Sequence, residues 1–300
     1  MTTISKTARD TRLEELPDRP AFQKATLAFI TKQPLGAFGA LIVLSMILTG
    51  IFAPILTPHD PEMIAFENML LPPNADYFLG TDQFGRDVLT RLLYGSRTAL
   101  FIGFTAAFTG STAGLVLGVT SAYFGGRFDL MFQRMMDLFQ AFPLIILALA
   151  IVSIFGPNVQ NVIIAITIPF IPDCARVVRS SALTLREIPF IDAARANGFS
   201  HTRIVLRHMV PNIMAPYLIM LTTFVGHAIL LEASLAYLGL GVQEPTPSWG
   251  LMLQGGAEQY IESAPWLAIW PGVAISLAVF GFNMFGDAMR DKLDPKLRSQ

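Results

Sequence analysis

Charged residues occur in clusters along this chain, and long stretches between the clusters contain no Asp, Glu, Lys or Arg. Five such stretches stand out: Gln33 to His59, Thr98 to Gly126, Leu138 to Pro172, Met209 to Leu231, and Ser263 to Gly286. A bilayer crossing needs about 20 mostly apolar residues in a helix, so each stretch is long enough. The third holds 35 residues, interrupted by a turn signal at Gly156 to Asn158. Two crossings and a turn need about 40 residues. The stretch therefore holds one span, or two whose ends run into the charged flanks.

The basic residues decide, because cytoplasmic loops carry the excess of Lys and Arg. With six spans and an inner N-terminus, 18 of the 21 basic residues lie inside, and Arg86, Arg91 and Arg97 remain outside. With five spans the inner count falls to 8. Six spans are preferred, with both termini cytoplasmic.

The predicted order is an inner segment 1–33, span one at 34–58, an outer loop 59–97 and span two at 98–124. Spans three and four follow at 128–155 and 160–180, then a cytoplasmic loop 181–210. Span five at 211–233, an outer loop 241–263, span six at 264–286 and a tail 287–300 complete the chain. The first apolar run starts too late and is too long for a cleaved secretory signal. Arg134 with Asp137, and Asp173 with Arg176, stand three apart and share helix faces.

Composition supports the membrane reading. Fifty-three per cent of the 300 residues are apolar and 14% are charged, against roughly 25% charged in soluble domains. Mean hydropathy is +0.52. A net charge of -1 excludes a basic nucleic-acid binder. The single cysteine, Cys174, precludes an internal disulfide, and the four histidines are scattered without metal-site spacing. No cofactor is called for. The sequence lacks GxxxxGK[ST], so it holds no phosphate-loop ATPase site of its own. No arrangement of nucleophile and base appears, so an enzyme is not expected.

The loop 181–210 is more than a connection. Pro189 opens a short helix in which Asp192 occupies the first turn, where a helix dipole favours negative charge. Ala193, Ala194 and Ala196 are small helix formers, and Gly198 suits a C′ position with positive φ. Ser200 is a natural N-cap for the next helix, which carries Arg203, Arg207 and His208 before Pro211. On pattern alone, a basic helix lying on lipid fits equally well.

The stretch "IDAARANGFSHTRIVLRHMVPN" resembles the EAA motif of ABC importer permeases, through Asp192, Ala193, Ala194, Gly198, His208, Pro211 and Asn212. Four further stretches make the chain similar to the dipeptide/oligopeptide permease family, second-permease type: 79–100, 125–143, 231–250 and 282–295. It departs from the pattern with Asp192 in place of Glu, and with "IPFIPD" before Cys174 where an aromatic residue is expected.

The resemblance implies an all-α type I permease fold with a core at 95–290, in a bacterial inner membrane. It implies a pathway shared with a second permease, two ATP-binding subunits, and an extracytoplasmic solute-binding protein. Asp192, Ala193, Ala194, Gly198, His208 and Pro211 become candidate ATPase-coupling residues. Peptides are the expected cargo, with nickel, glutathione or another small solute as alternatives within the family. A secondary transporter or channel is the alternative from another class, and a membrane scaffold or sensor a third.

Polar groups within spans default to function, which makes His227 and Glu232 candidate pathway residues. Arg86 and Asp87 are expected to be loop architecture, and Trp249, Trp266 and Trp270 interfacial anchors. Gly110, Gly114 and Gly118 form a small-residue stripe for close helix packing.

Overall fold

A computed structural model describes residues 29–293. Most of the inner segment 1–33 and the end of the tail 287–300 lie outside the described residues. Nine helices carry the fold: α1 (Pro34–Leu56), α2 (Val88–Phe124), α3 (Gly126–Gln140), α4 (Leu144–Phe155), α5 (Val159–Arg186), α6 (Pro189–Ala196), α7 (His201–Tyr237), α8 (Trp249–Gln259) and α9 (Trp266–Leu293). Among the described residues there are no strands, and one isolated bridge, Thr81 to Asp87, closes the first outer loop.

α1, α2, α5, α7 and α9 are each long and apolar enough to cross a membrane. The stretch 128–155, expected as a sixth crossing, is not one straight helix. α3 and α4 meet at a bend of 83°. The cause is Pro143, which lacks an N–H and sits extended at the N-cap of α4 (φ -54°, ψ 134°). α4 alone has 12 residues, about 18 Å at 1.5 Å per residue, too short for a crossing by itself. α2 starts earlier than its apolar stretch. Asp87 caps it by accepting from the Thr90 amide at 2.9 Å, and its 37 residues, about 55 Å, are longer than a single crossing needs. The outer loop 241–263 is likewise not all loop, because it contains α8.

The glycine stripe of α2 has the packing role expected of it. α5 lies so close that a Cβ on Gly110, Gly114 or Gly118 would come within 2.9 Å of Phe170 Cβ, 2.6 Å of Cys174 Cβ or 2.5 Å of the Ala175 carbonyl oxygen. Lipid tails are as apolar as leucine, so close contact rather than expulsion from water holds such helices together. α7 packs against α2, and α9 joins α7 to α1. Phe170 and Phe224 stack at 4.3 Å where α5 meets α7.

At the cytoplasmic ends, Arg134 reaches Asp137 at 3.5 Å. Arg176 does not pair with Asp173. It reaches Asp137 at 3.0 Å across the α3–α5 junction, and Asp173 accepts from Gln140. The bend turns α3 back towards α5 and so offers Arg176 a partner that the linear pattern does not show.

Candidate functional site

The coupling segment starts where α5 ends. Arg186 donates to the Ala122 carbonyl at 2.9 Å and ties α5 to the end of α2. Pro189 then supplies a preset φ in the first turn of α6. Ile191 and Ala194 turn into the protein, fully buried and nearly so. Asp192 and Ala193 face out, and Arg195 pairs with Asp192 at 3.1 Å. That pair is on the surface, where such contacts contribute little.

Gly198 ends α6 with φ 72°, the left-handed conformation expected of it. Its amide donates to the Arg195 carbonyl at 2.9 Å, and the Phe199 amide donates to Ala194 at 3.2 Å. These two bonds are the paired closure of a Schellman turn. Ser200 caps the next helix by accepting from the Arg203 amide at 3.4 Å.

Pro211 and its neighbours reshape the start of α7. Residues Ile204–Met209 are π-helical, and the Val210 amide donates to Val205, five residues back. Proline at 211 has no amide to continue the normal ladder, and a wider turn is one way a helix absorbs the loss. Asn212 donates its side-chain amide to the His208 carbonyl at 2.7 Å. The His208 ring stacks on Phe199, with centroids 5.7 Å apart and planes 3° apart. His208, Pro211 and Asn212 therefore build one local device, the widened turn that follows the coupling helix.

A link that the spacing did not reveal joins this device to α2. The Tyr123 hydroxyl lies 2.7 Å from His201 Nδ1, and the Arg195 guanidinium sits 5.4 Å above the Tyr123 ring. Tyr123 is buried at the end of α2. Its partners lie 72 and 78 positions further along the chain, so no local pattern points to them.

His227 and Glu232 do not come together. Glu232 is 1% exposed and accepts from Ser248 Oγ at 2.8 Å. His227 lies on an exposed face of α7. In this conformation only His227 is open to anything outside the chain.

The outer cap uses its charges internally. Asp82 accepts from Arg86 Nε at 2.7 Å, and Arg86 reaches Glu244 at 2.6 and 3.1 Å. Arg91, with a side chain 1% exposed, lies 3.3 Å from Glu244 and donates to the Pro61 and Pro245 carbonyls. Glu244 thereby joins the first outer loop to the second. Burial alone would raise the Glu244 carboxyl, but the bonds and charges of Arg86 and Arg91 outweigh it and hold it below the ordinary carboxylate range. Arg86 and Asp87 are thus loop architecture, as expected. Trp249 is not an interfacial anchor: it is 4% exposed and donates to the Leu92 carbonyl at 2.9 Å. Among the described residues no group of His, Cys, Asp and Glu is placed to hold a metal ion.

The arrangement of a helical core with a short coupling helix has relatives. Residues 110–299 match the family described as binding-protein-dependent transport system inner membrane component. This chain belongs to that family. It is a multi-pass inner-membrane permease subunit of an ABC importer. Residues 27–73 of the subunit also match the N-terminal transmembrane domain of oligopeptide transport permease C.

The subunit is 44% identical over 283 residues to the dipeptide transport system permease protein DppC of Alkalihalophilus pseudofirmus, covering 94% of this chain and 91% of the relative. It is 37% identical to the probable D,D-dipeptide transport system permease protein DdpC of Escherichia coli K12, with 92% of each chain covered. It is 39% identical to the glutathione transport system permease protein GsiD of Shigella boydii, covering 89% and 88%. In structure it resembles the inward-facing MetNI methionine ABC transporter. The TM-score is 0.55 at 21% identity, over 68% of this chain and 96% of the other, and this likeness bears on the fold alone.

Proposed function

We propose that this permease subunit imports short peptides. It forms half of a transmembrane pathway with a second permease, and α6 docks one of two ATP-binding subunits. A solute-binding protein delivers cargo at the outer cap. The termini and α6 then face the cytoplasm, in keeping with the charge split.

The observation that carries the coupling reading is the shape of α6. It is anchored by Ile191 and Ala194, closed by Gly198, and presents Asp192 and Ala193 outward, exposed among the described residues. A helix built only to lie on lipid would turn its apolar face outward, whereas this one buries Ile191 and Ala194 and leaves Phe190 as its one large apolar side chain outside. His227 is the pathway residue this reading favours, because an exposed imidazole on a membrane helix disfavours a lipid neighbour. Glutathione, itself a peptide, keeps the GsiD likeness within the same class, and peptides are favoured because two of the three relatives above carry a dipeptide name.

Uptake of a labelled dipeptide by the reconstituted complex tests the reading. Import should require ATP, the ATP-binding subunits and this chain together. ATP-independent uptake by this chain alone would overturn it. For orientation, a cysteine placed at Gln259 should label from outside and one at Ser200 should not.

A further inference from the structure

The outer face holds a cavity that the coupling function leaves unused. It lies between the first outer loop and α8 and has a volume of about 540 Å³. That lies within the range of roughly 300–1,000 Å³ usual for small-molecule sites. Gln83 reaches its wall from the loop, and Gln254 and Glu258 from α8. Among the described residues, none of these three side chains has a hydrogen bond or ion pair within the chain. Gly255 makes room for the first of them: a Cβ there would stand 2.7 Å from Gln83 Nε2.

The lining has a definite chemical preference. A carboxamide offers two donors and an acceptor, which matches the N–H and C=O of a peptide unit. Glu244 also borders the cavity, but it and Asp82 balance Arg86 and Arg91 in the ion-pair network. The uncompensated charge is therefore that of Glu258, and it suits an ammonium group. No Lys or Arg lines the cavity, so a carboxylate would find no cation there. Phe66 and Tyr260 give the wall an apolar part.

We propose that this cavity is a receiving subsite for the amino-terminal end of a short peptide. Glu258 takes the ammonium group, Gln83 and Gln254 take the first peptide unit, and Phe66 and Tyr260 border the first side chain. The proposal rests on the peptide-import reading above and adds an orientation to it: the peptide enters amino end first.

The test is photolabelling of the assembled permease–ATPase complex in lipid, without the delivering protein. The probe is a dipeptide with a photoreactive first side chain and a free amino group. Label is expected within residues 66–84 or 251–260. Excess unlabelled dipeptide should compete with it, and the N-acetylated dipeptide should not.

A charge-assisted bond in a partly solvated site corresponds to roughly a three- to tenfold change in occupancy. Glu258→Gln is expected to cut the labelling by that factor. Gln254→Ala is expected to cut it less and serves as the second variant. Glu258 is exposed, so its replacement leaves the packing alone. Label found only elsewhere, equal competition by the acetylated peptide, or full labelling in both variants overturns the subsite. Dipeptide uptake by the complete transporter separates the two claims. Normal uptake with an unlabelled cavity sinks the subsite alone, whereas absence of uptake in the wild type sinks the peptide reading as well.

Discussion

Gly85 in the outer cap and Gly198 at the end of α6 share a positive φ, 76° and 72°. Their surroundings are opposite. A Cβ on Gly85 would fall 1.8 Å from the Ala65 carbonyl oxygen, while one on Gly198 would meet nothing within 4 Å. The cap has closed on itself around four charges, Asp82, Arg86, Arg91 and Glu244, that are spent on one another. The coupling turn has the same conformational demand without the steric one, and its polar groups point outward. A turn that is strictly shaped yet uncrowded fits the proposed docking of an ATP-binding subunit there. Three perturbations test that contrast.

The largest effect is expected in the cap. Arg91→Met leaves Glu244 with one cation fewer and strips the Pro61 and Pro245 carbonyls of their donor. Removing one partner of a fully buried ion pair costs about 3–5 kcal/mol; the loss here should be smaller, because Glu244 is 39% exposed and keeps Arg86. The first outer loop should become open to protease at temperatures where the wild type resists. Unchanged resistance would mean that the network does not hold the cap. Gly85→Ala should act in the same direction, since Ala65 must move to admit the new carbon. Loss of folded protein after Gly198→Ala but not after Gly85→Ala would reverse the comparison.

Much of this was legible in the sequence, for reasons that also mark its limits. The spans are written in charge-free runs and the α2–α5 contact in three glycines four apart, both local and periodic features. Gly198 and Ser200 were legible because helix ends use few residue types. The bend between α3 and α4 was not, because Pro54, Pro169, Pro172, Pro216 and Pro271 lie inside helices that continue, so Pro143 alone does not announce a break. The Arg86–Glu244 bonds join positions 158 apart, and the Tyr123–His201 contact joins positions 78 apart. Pairings of that kind follow from the packing of α2 against α7 and have no local signal. Glu232 shows another limit: a carboxylate near a span suggests a pathway, and nothing local announces that this one is buried within the chain and accepts from Ser248.

A smaller effect on stability, but a selective one on function, is expected at the coupling turn. Holding a non-glycine residue at positive φ costs on the order of 1 kcal/mol, too little to prevent insertion. Gly156 supplies a harsher strain control: its φ of 88° and ψ of 155° lie in a region still more restricted to glycine, it too has open space around it, and it lies between α4 and α5. Gly198→Ala and Gly156→Ala should reach equal membrane levels. Only the former should lower both retention of the ATP-binding subunits and uptake. Equal loss in both variants would mean that backbone strain itself, not the position of α6, limits transport.

The smallest effect is the pH response of the cap, and its direction follows from Glu244. The folded chain holds this carboxyl below the ordinary range, because Arg86 and Arg91 favour the charged form by more than burial disfavours it. A group depressed in this way contributes stability above its unfolded pKa, and the contribution is lost as pH falls through the folded value. An unperturbed glutamate titrates at about pH 4.3, which sets the upper edge of the window. The cap should therefore hold unchanged between neutrality and about pH 5 and loosen only below about pH 4. Because Glu244 is 39% exposed, solvent screens part of the interaction and the change should be modest. Glu244→Gln should remove this part of the acid response while lowering stability at neutral pH. Protease susceptibility of the first outer loop, followed from pH 7 to pH 3 in both proteins, gives the measurement. Loosening of the wild-type cap already between pH 7 and pH 5, or an identical acid profile in the variant, would show that the link between the two outer loops does not depend on the charge of Glu244.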